Sequence, residues 1–296
     1  MRPDPAPFMT HRPRLVRLAY RMLGSIAEAE DMAQEAWLRW QLTDHRAVAD
    51  PAAYLSRTVT RLCLDQMKSA RARHEEYVGP WLPEPIVEPE EGMRLDELTL
   101  TLMMALERLS PLERAAFLLH DVFEQPLAEI AATLDRDPAA VRQLAARARK
   151  HVRASGPRYP VQREEGARIA RAFFDASASG DISALRSLLS ANVTIQADGG
   201  GKVTAFRNVI AGQDRVLRLY EGLARKYAAN PPLFIDAVWI DGLPGYVSHD
   251  RDNVLQTTAF AIENGVVAAI YITRNPDKLG SVRDVLPRLG QQDARL

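Results

Sequence analysis

The chain has 296 residues, 38 of them Lys or Arg and 38 Asp or Glu, with 47% apolar and 7% aromatic residues. That length suggests about two domains. The composition excludes a disordered chain, and no uncharged apolar run reaches the roughly 18 residues needed to cross a membrane. One cysteine, Cys63, excludes an internal disulfide framework and any multi-cysteine metal site. With an N-terminal segment that lacks a signal-peptide apolar stretch, it points to the cytoplasm. No metal or cofactor is expected. A net charge of zero speaks against nucleic acid only if the charge is evenly spread, and here it is not.

The first helical stretch keeps Leu15, Leu18, Ala19 and Met22 at i, i+3, i+4, i+7. A second runs through Ile26, Ala29, Ala33, Ala36, Trp37 and Trp40. On its other face Glu28, Asp31 and Glu35 fall within about 60° of one another at 100° per residue. Such an acidic cluster suits a basic protein surface, although a solvated helix face has the same pattern. Asp50 and Pro51 signal the next helix start. Residues 57–73 hold five bases and one acid, and Arg57, Arg61, Lys68 and Arg71 share an arc of about 80°. That stripe matches backbone phosphates, with Asp65 spaced to pair with Arg61 or Lys68.

Residues 75–97 contain eight acids and one base. Pro80, Pro83, Pro85 and Pro89 fall among them, so this reads as an extended linker. Ser110-Pro111-Leu112-Glu113 is a capping box. A short apolar helix at 127–134, the turn at 134–137 and a helix opening at Asp137-Pro138 have the lengths of a helix-turn-helix. In its second helix Val141, Leu144, Ala148 and Val152 form the buried stripe. Arg142 and Gln143 sit at the end that would read base edges in a major groove, while Arg147, Arg149, Lys150 and Arg153 suit phosphates. A basic core helix of a bundle is the alternative. Beyond Gly156-Pro157 come two helices at about 163–178 and 182–190. Alternating β-branched runs follow, with turns at Asp241-Gly242 and Asn264-Gly265, so the second half is an α+β domain.

These features together resemble a bacterial sigma factor of the extracytoplasmic-function type. The σ2-like part is LVRLAYRMLGSIAEAEDMAQEAWLRW at 15–40 with DPAAYLSRTVTRLCLDQMKSARAR at 50–73. The σ4-like part lies at 106–153, and no σ3 intervenes. Residues 163–279 resemble a SnoaL-like domain of the NTF2-like superfamily. Three motifs match the sigma-factor group that carries this domain fused: Trp81-Leu82-Pro83-Glu84-Pro85, Asp198-Gly199-Gly200-Gly201-Lys202 and Asn275-Pro276-Asp277-Lys278-Leu279. The resemblance implies a multidomain fold of two all-α helical domains and an α+β NTF2-like cone. The expected divisions are 8–73 (σ2-like), 74–97 (acidic linker), 98–155 (σ4-like helix-turn-helix), 163–280 (SnoaL-like) and 281–296 (tail).

By that resemblance Glu28, Asp31 and Glu35 dock the β′ clamp of core RNA polymerase, and the σ4-like part meets the β flap. Arg57, Arg61, Lys68 and Arg71 engage the minus-ten element. Arg142, Gln143, Arg147, Arg149 and Lys150 serve the minus-thirty-five element. Arg61 stands where the family often has asparagine, and Gln66 where it usually has arginine. The fused domain is implied to be an in-chain regulator that contacts the linker through the three motifs. Trp81 is expected to be an anchor docking in a pocket, and Lys202 to meet Glu84 or another linker carboxylate. No catalysis is expected, although the cone offers room for an unidentified small ligand. Asp236, Asp198, His249, Asp250 and Tyr271 are its polar candidates. A SnoaL-like enzyme with an attached DNA-binding region, or a helix-turn-helix regulator that acts without polymerase, are the alternatives.

Overall fold

A computed structural model describes residues 6–75, 77–88, 99–153 and 161–289, without the side chains of 69–75. The chain forms two compact units. One is built from residues 1–76 and 102–156, the other from 77–101 and 157–296. The connection between the two halves of the first unit is therefore part of the second.

In the first unit, α1 (Ala6–Leu23), α2 (Ile26–Gln41) and α3 (Pro51–Glu75) pack together. Ser25 caps α2 by accepting from the Glu28 N–H at 3.3 Å, and Asp50 caps α3 by accepting from Ala53 at 3.1 Å. The predicted apolar positions Leu18, Met22, Ala33, Trp40, Leu55 and Val59 are buried. Trp40 stacks on His45 with ring centroids 4.0 Å apart. Helix α4 (Leu100–Leu106) leads to α5 (Pro111–Phe117), where Ser110 and Glu113 close the expected capping box. The chain then widens into a π-helical turn at Leu118–Val122, closed by Phe123 donating to Leu118 at 2.9 Å. Helices α6 (Leu127–Leu134) and α7 (Pro138–Arg153) complete the helix-turn-helix. Asp135, at φ 53°, turns the chain between them, and Asp137 caps α7 by accepting from Ala140 at 2.8 Å.

In the second unit α8 (Arg163–Ser179), α9 (Ile182–Leu188) and α10 (Gln213–Lys226) accompany one sheet. Its strands are β1 (Val87–Glu88), β2 (Leu189–Asp198), β3 (Ile210–Ala211), β4 (Leu233–Ile240), β5 (Leu243–His249), β6 (Leu255–Glu263) and β7 (Val266–Thr273). The spatial order is β1-β4-β5-β6-β7-β2-β3, with only the β2–β7 pair parallel. The two predicted hairpins are present. Asp241-Gly242 (φ 46° and 72°) and Asn264-Gly265 (φ 52° and 79°) take the double positive φ that a two-residue hairpin matched to strand twist requires. The core is aromatic: Phe173 meets Tyr220 edge-on and Phe260 at 4.8 Å, and Phe174 meets Tyr246 edge-on. A short helix, α11 (Gly280–Val285), follows the last strand. Among the described residues no helix is long and apolar enough to cross a membrane.

Candidate nucleic-acid interface and linker clasp

Helix α7 separates its faces as the periodicity requires. Val141, Ala145 and Ala148 are buried, whereas Arg142, Gln143, Arg147 and Lys150 are exposed. Leu144 and Val152, expected in the buried stripe, are half-buried at its margins. Arg149 is the exception among the basic candidates. Its Nε donates to Asp121 at 2.6 Å, which draws it back toward the π-helical turn.

The basic stripe of α3 is less open than its sequence suggests. Arg61 donates from Nε to the Thr133 carbonyl at 3.1 Å and from Nη2 to the Ala132 carbonyl at 3.0 Å. These are C-terminal carbonyls of α6, where the helix leaves its acceptors unsatisfied and its dipole favours a cation. Arg61 thus spends two of its donors on the helix-turn-helix. Arg57 has a buried Nε with no hydrogen bond in the described structure. Lys68 pairs with Asp65 at 2.8 Å, both about three-quarters exposed. Arg71 lies in the part of α3 whose side chains are not described.

Further bonds join the halves of this unit, among them Arg14 to the Phe123 carbonyl at 2.9 Å and Gln125 to Ser56 at 2.8 Å. Arg114, which sequence reasoning passed over, is buried. It donates to the carbonyls of Leu106 (3.0 Å) and Met22 (2.7 Å) and pairs with Glu107 at 2.6 Å. Its place in a capping-box helix gives no signal of that role. On α2, Asp31 is exposed, Glu35 pairs with Arg39 at 2.9 Å, and Glu28 accepts from Gln66 at 2.9 Å.

In the second unit all three predicted motifs meet at Asp198, which has no solvent exposure. One carboxylate oxygen accepts from the Tyr77 hydroxyl and from the Gly200 N–H at 3.0 Å. The other accepts from the Leu82 N–H at 2.9 Å and from Lys278 Nζ at 2.8 Å. Its backbone carbonyl takes the N–H groups of Arg274 and Asn275. Lys278 also donates to the Leu82 carbonyl and lies 4.2 Å from the Trp81 ring centroid and 5.0 Å from that of Tyr77. Asn275 donates to the Tyr77 hydroxyl at 2.9 Å. Burial, then the bond to Asp198, pushes the Tyr77 phenol upward, so it remains a donor.

The glycines are there for close approach. A Cβ on Gly200 would stand 2.3 Å from the Asn275 side chain, and one on Gly199 2.5 Å from the Val203 carbonyl.

Two expectations about the clasp need correction. Lys202 meets Asp277 at 2.5 Å, both about half exposed, rather than Glu84 or another linker carboxylate; the cation that grips the linker is Lys278. Trp81 is half-buried under Lys278, and the residue wholly enclosed is Leu82, at 0% exposure. The prolines therefore present the neighbouring leucine as the deep contact.

The sequence also gave no sign that Val87–Glu88 would pair with β4 as an edge strand. Nor did it suggest that the turn residue Asp241 would hold both Ile86 in the linker and Leu100 at the start of α4. Asp241 exchanges bonds with Ile86 and accepts from the Leu100 N–H at 2.8 Å. Of the polar cone candidates, Asp250 alone lines a pocket that this unit holds between its sheet and helices.

Comparison with known proteins identifies the helical segments and a relative along most of the chain. Residues 8–73 match Sigma-70 region 2, and residues 99–152 match Sigma-70, region 4. The chain is 38% identical over 291 residues to the ECF RNA polymerase sigma factor SigJ of Mycobacterium tuberculosis, covering 92% of this chain and 91% of that one. It is 32% identical to the probable ECF RNA polymerase sigma factor SigI of the same species, covering 95% and 96%. The crystal structure of M. tuberculosis SigJ superposes with a TM-score of 0.74 at 32% identity, over 94% of this chain and 99% of that one.

Proposed function

Because the chain belongs to the extracytoplasmic-function RNA polymerase sigma factors, we propose the following division of work among its residues. The protein is a transcription initiation factor: it binds core RNA polymerase and directs it to promoters, and its fused SnoaL-like domain regulates that activity. In our reading Asp31 and Glu35 lead the docking of the β′ clamp, joined by Glu28, and the σ4-like part meets the β flap. Arg142 and Gln143 read the minus-thirty-five element, with Arg147, Arg149 and Lys150 on phosphates. Arg57, Arg61, Lys68 and Arg71 serve the minus-ten element. The factor works in the cytoplasm and does no covalent chemistry of its own. We place its divisions at 8–73, 74–97, 98–155, 163–280 and 281–296.

The observation that carries this reading is the exposure of Arg142, Gln143, Arg147 and Lys150 opposite a buried apolar stripe on the second helix of a helix-turn-helix. The bonds from Arg61 to α6 add a condition. Promoter binding through Arg61 requires α3 and α6 to part, so the arrangement described here is a closed one. Such a change needs a partner that favours the open form, and polymerase and DNA are the natural ones.

Run-off transcription with purified core polymerase and genomic promoters tests the assignment. The full chain should give promoter-dependent transcripts. Arg142→Ala should weaken promoter discrimination by about 1–3 kcal/mol. An absence of transcripts, from the full chain and from forms cut after residue 161, would remove the assignment.

A further inference from the structure

The second unit holds a pocket of about 230 Å³, partly open to solvent, among the sheet, α8 and α10. It is separate from the Asp198 clasp, whose carboxylate does not line it. Ligand sites are concave and mostly apolar, and a recess of this size set against an aromatic core has room for a small ligand. Apolar cavities of about 150 Å³ take up benzene; this one admits a fused bicyclic ring or a medium-length acyl chain.

The chemistry of the lining narrows the class. The body is apolar, with Phe174, Ile195, Leu219 and Ile272 contributing. Two buried phenols, Tyr220 and Tyr246, also face it. Burial pushes Tyr246 up to about 12, and burial beside Tyr246 raises Tyr220 too, so both stay protonated as donors. Three cations and two acids complete the lining: Lys226, Arg251 and Arg274 against Asp250 and Asp252. Arg251 is committed to the backbone, donating to the carbonyls of Ser177 (3.1 Å) and Ala178 (3.2 Å). Asp250 accepts from Arg274 and, at 2.8 Å, from the Val254 N–H. Left over are the Arg274 Nε, buried without a hydrogen bond, and Lys226, which is exposed and makes no ion pair among the described residues. The surplus is a single positive charge, lined with donors and backed by apolar walls. It matches a monoanion better than a phosphate monoester, which carries about −1.5 to −2.

We propose that this cavity binds a small monocarboxylic acid with an aromatic or medium-chain acyl body. Its ring or chain lies among Phe174, Ile195, Leu219 and Ile272, and its carboxylate lies on the side of Lys226 and Arg274. The site is complete within the second unit and stands independently of the promoter-binding assignment.

Calorimetric titration of the full chain with 2-naphthoate and with decanoate tests it, with 2-naphthamide as the uncharged counterpart. At least one of the two acids should bind saturably at one per chain. For 2-naphthoate, the amide should bind about tenfold more weakly, the ratio expected for losing one charge-assisted hydrogen bond. Leu219→Trp, which fills the cavity, should abolish uptake, and Lys226→Gln at the exposed rim should weaken it. Thermal unfolding checks that both variants fold. Failure of both acids to bind, an amide as tight as its acid, or undiminished binding by a folded Leu219→Trp protein would overturn the proposal. Run-off transcription on the same preparation reads the sigma-factor assignment separately, so a failure of either leaves the other standing.

Discussion

Asp198 is a carboxylate with no exposure and four donors: a phenol, two backbone N–H groups and an ammonium. Burying such a charge is unfavourable by several kcal/mol, and only a full set of partners offsets that. Each partner comes from one of the matched motifs or from Tyr77 just ahead of the first, which explains why three short, distant sequences occur together. A milder carboxylate sits in the first unit. The Ser110 hydroxyl, bonded to Glu113, holds that carboxyl below its ordinary value of 4.5. A depressed folded value means its stabilisation is present above 4.5 and is lost as pH falls through that lower value. Ser110→Ala should therefore cost about 1 kcal/mol near neutrality. Urea denaturation across pH should also show the variant losing less stability than the parent on acidification. A parallel decline in the two proteins would contradict the role given to the cap.

At the scale of elements, residues 77–88 of the linker form a docked segment with its own edge strand. Leu82 at 0% exposure, beside a half-buried Trp81, gives a ranking of contacts. Leu82→Ala removes a fully buried side chain and should loosen the segment by about 2–5 kcal/mol. Trp81→Ala truncates a half-buried ring and gives up, among its contacts, a cation–π interaction of about 0.5–1 kcal/mol with Lys278. Amide exchange over residues 77–88 should accelerate far more in the first variant, and the reverse order would return Trp81 to the anchoring role. The helices, their caps at Asp50 and Asp137 and both hairpin turns were legible because each depends on local spacing. The pairing of β1 with β4 and the grip of Asp241 on Ile86 and Leu100 were not, since two residues of strand carry no period and an Asp-Gly turn reads the same whatever its polar groups hold. The basic stripe on α3 was legible as a stripe. Its engagement by α6 was not, because helix C-terminal carbonyls are backbone acceptors that leave no mark in composition.

For the whole molecule, the balanced total of 38 bases and 38 acids is a sum over segments to which we assign different tasks, and the assignments can be tested separately. Asp31→Lys with Glu35→Lys should lower affinity for core polymerase while leaving the unfolding temperature within a few degrees, as exposed substitutions usually do. Unchanged affinity, measured by competition for core, would contradict the docking face. The clasp also has a consequence in time. Tyr77 and Asn275 are 198 residues apart in sequence yet hydrogen-bonded. At a synthesis rate of about 5–20 residues per second, roughly 10–40 s separate the appearance of the first from that of the second. For the last 119 residues of that interval, roughly 6–24 s, a nascent chain has both halves of its first unit and a linker without its full set of partners. Each newly made molecule passes through a period in which Tyr77 and Leu82 lack Asn275 and Lys278 as partners.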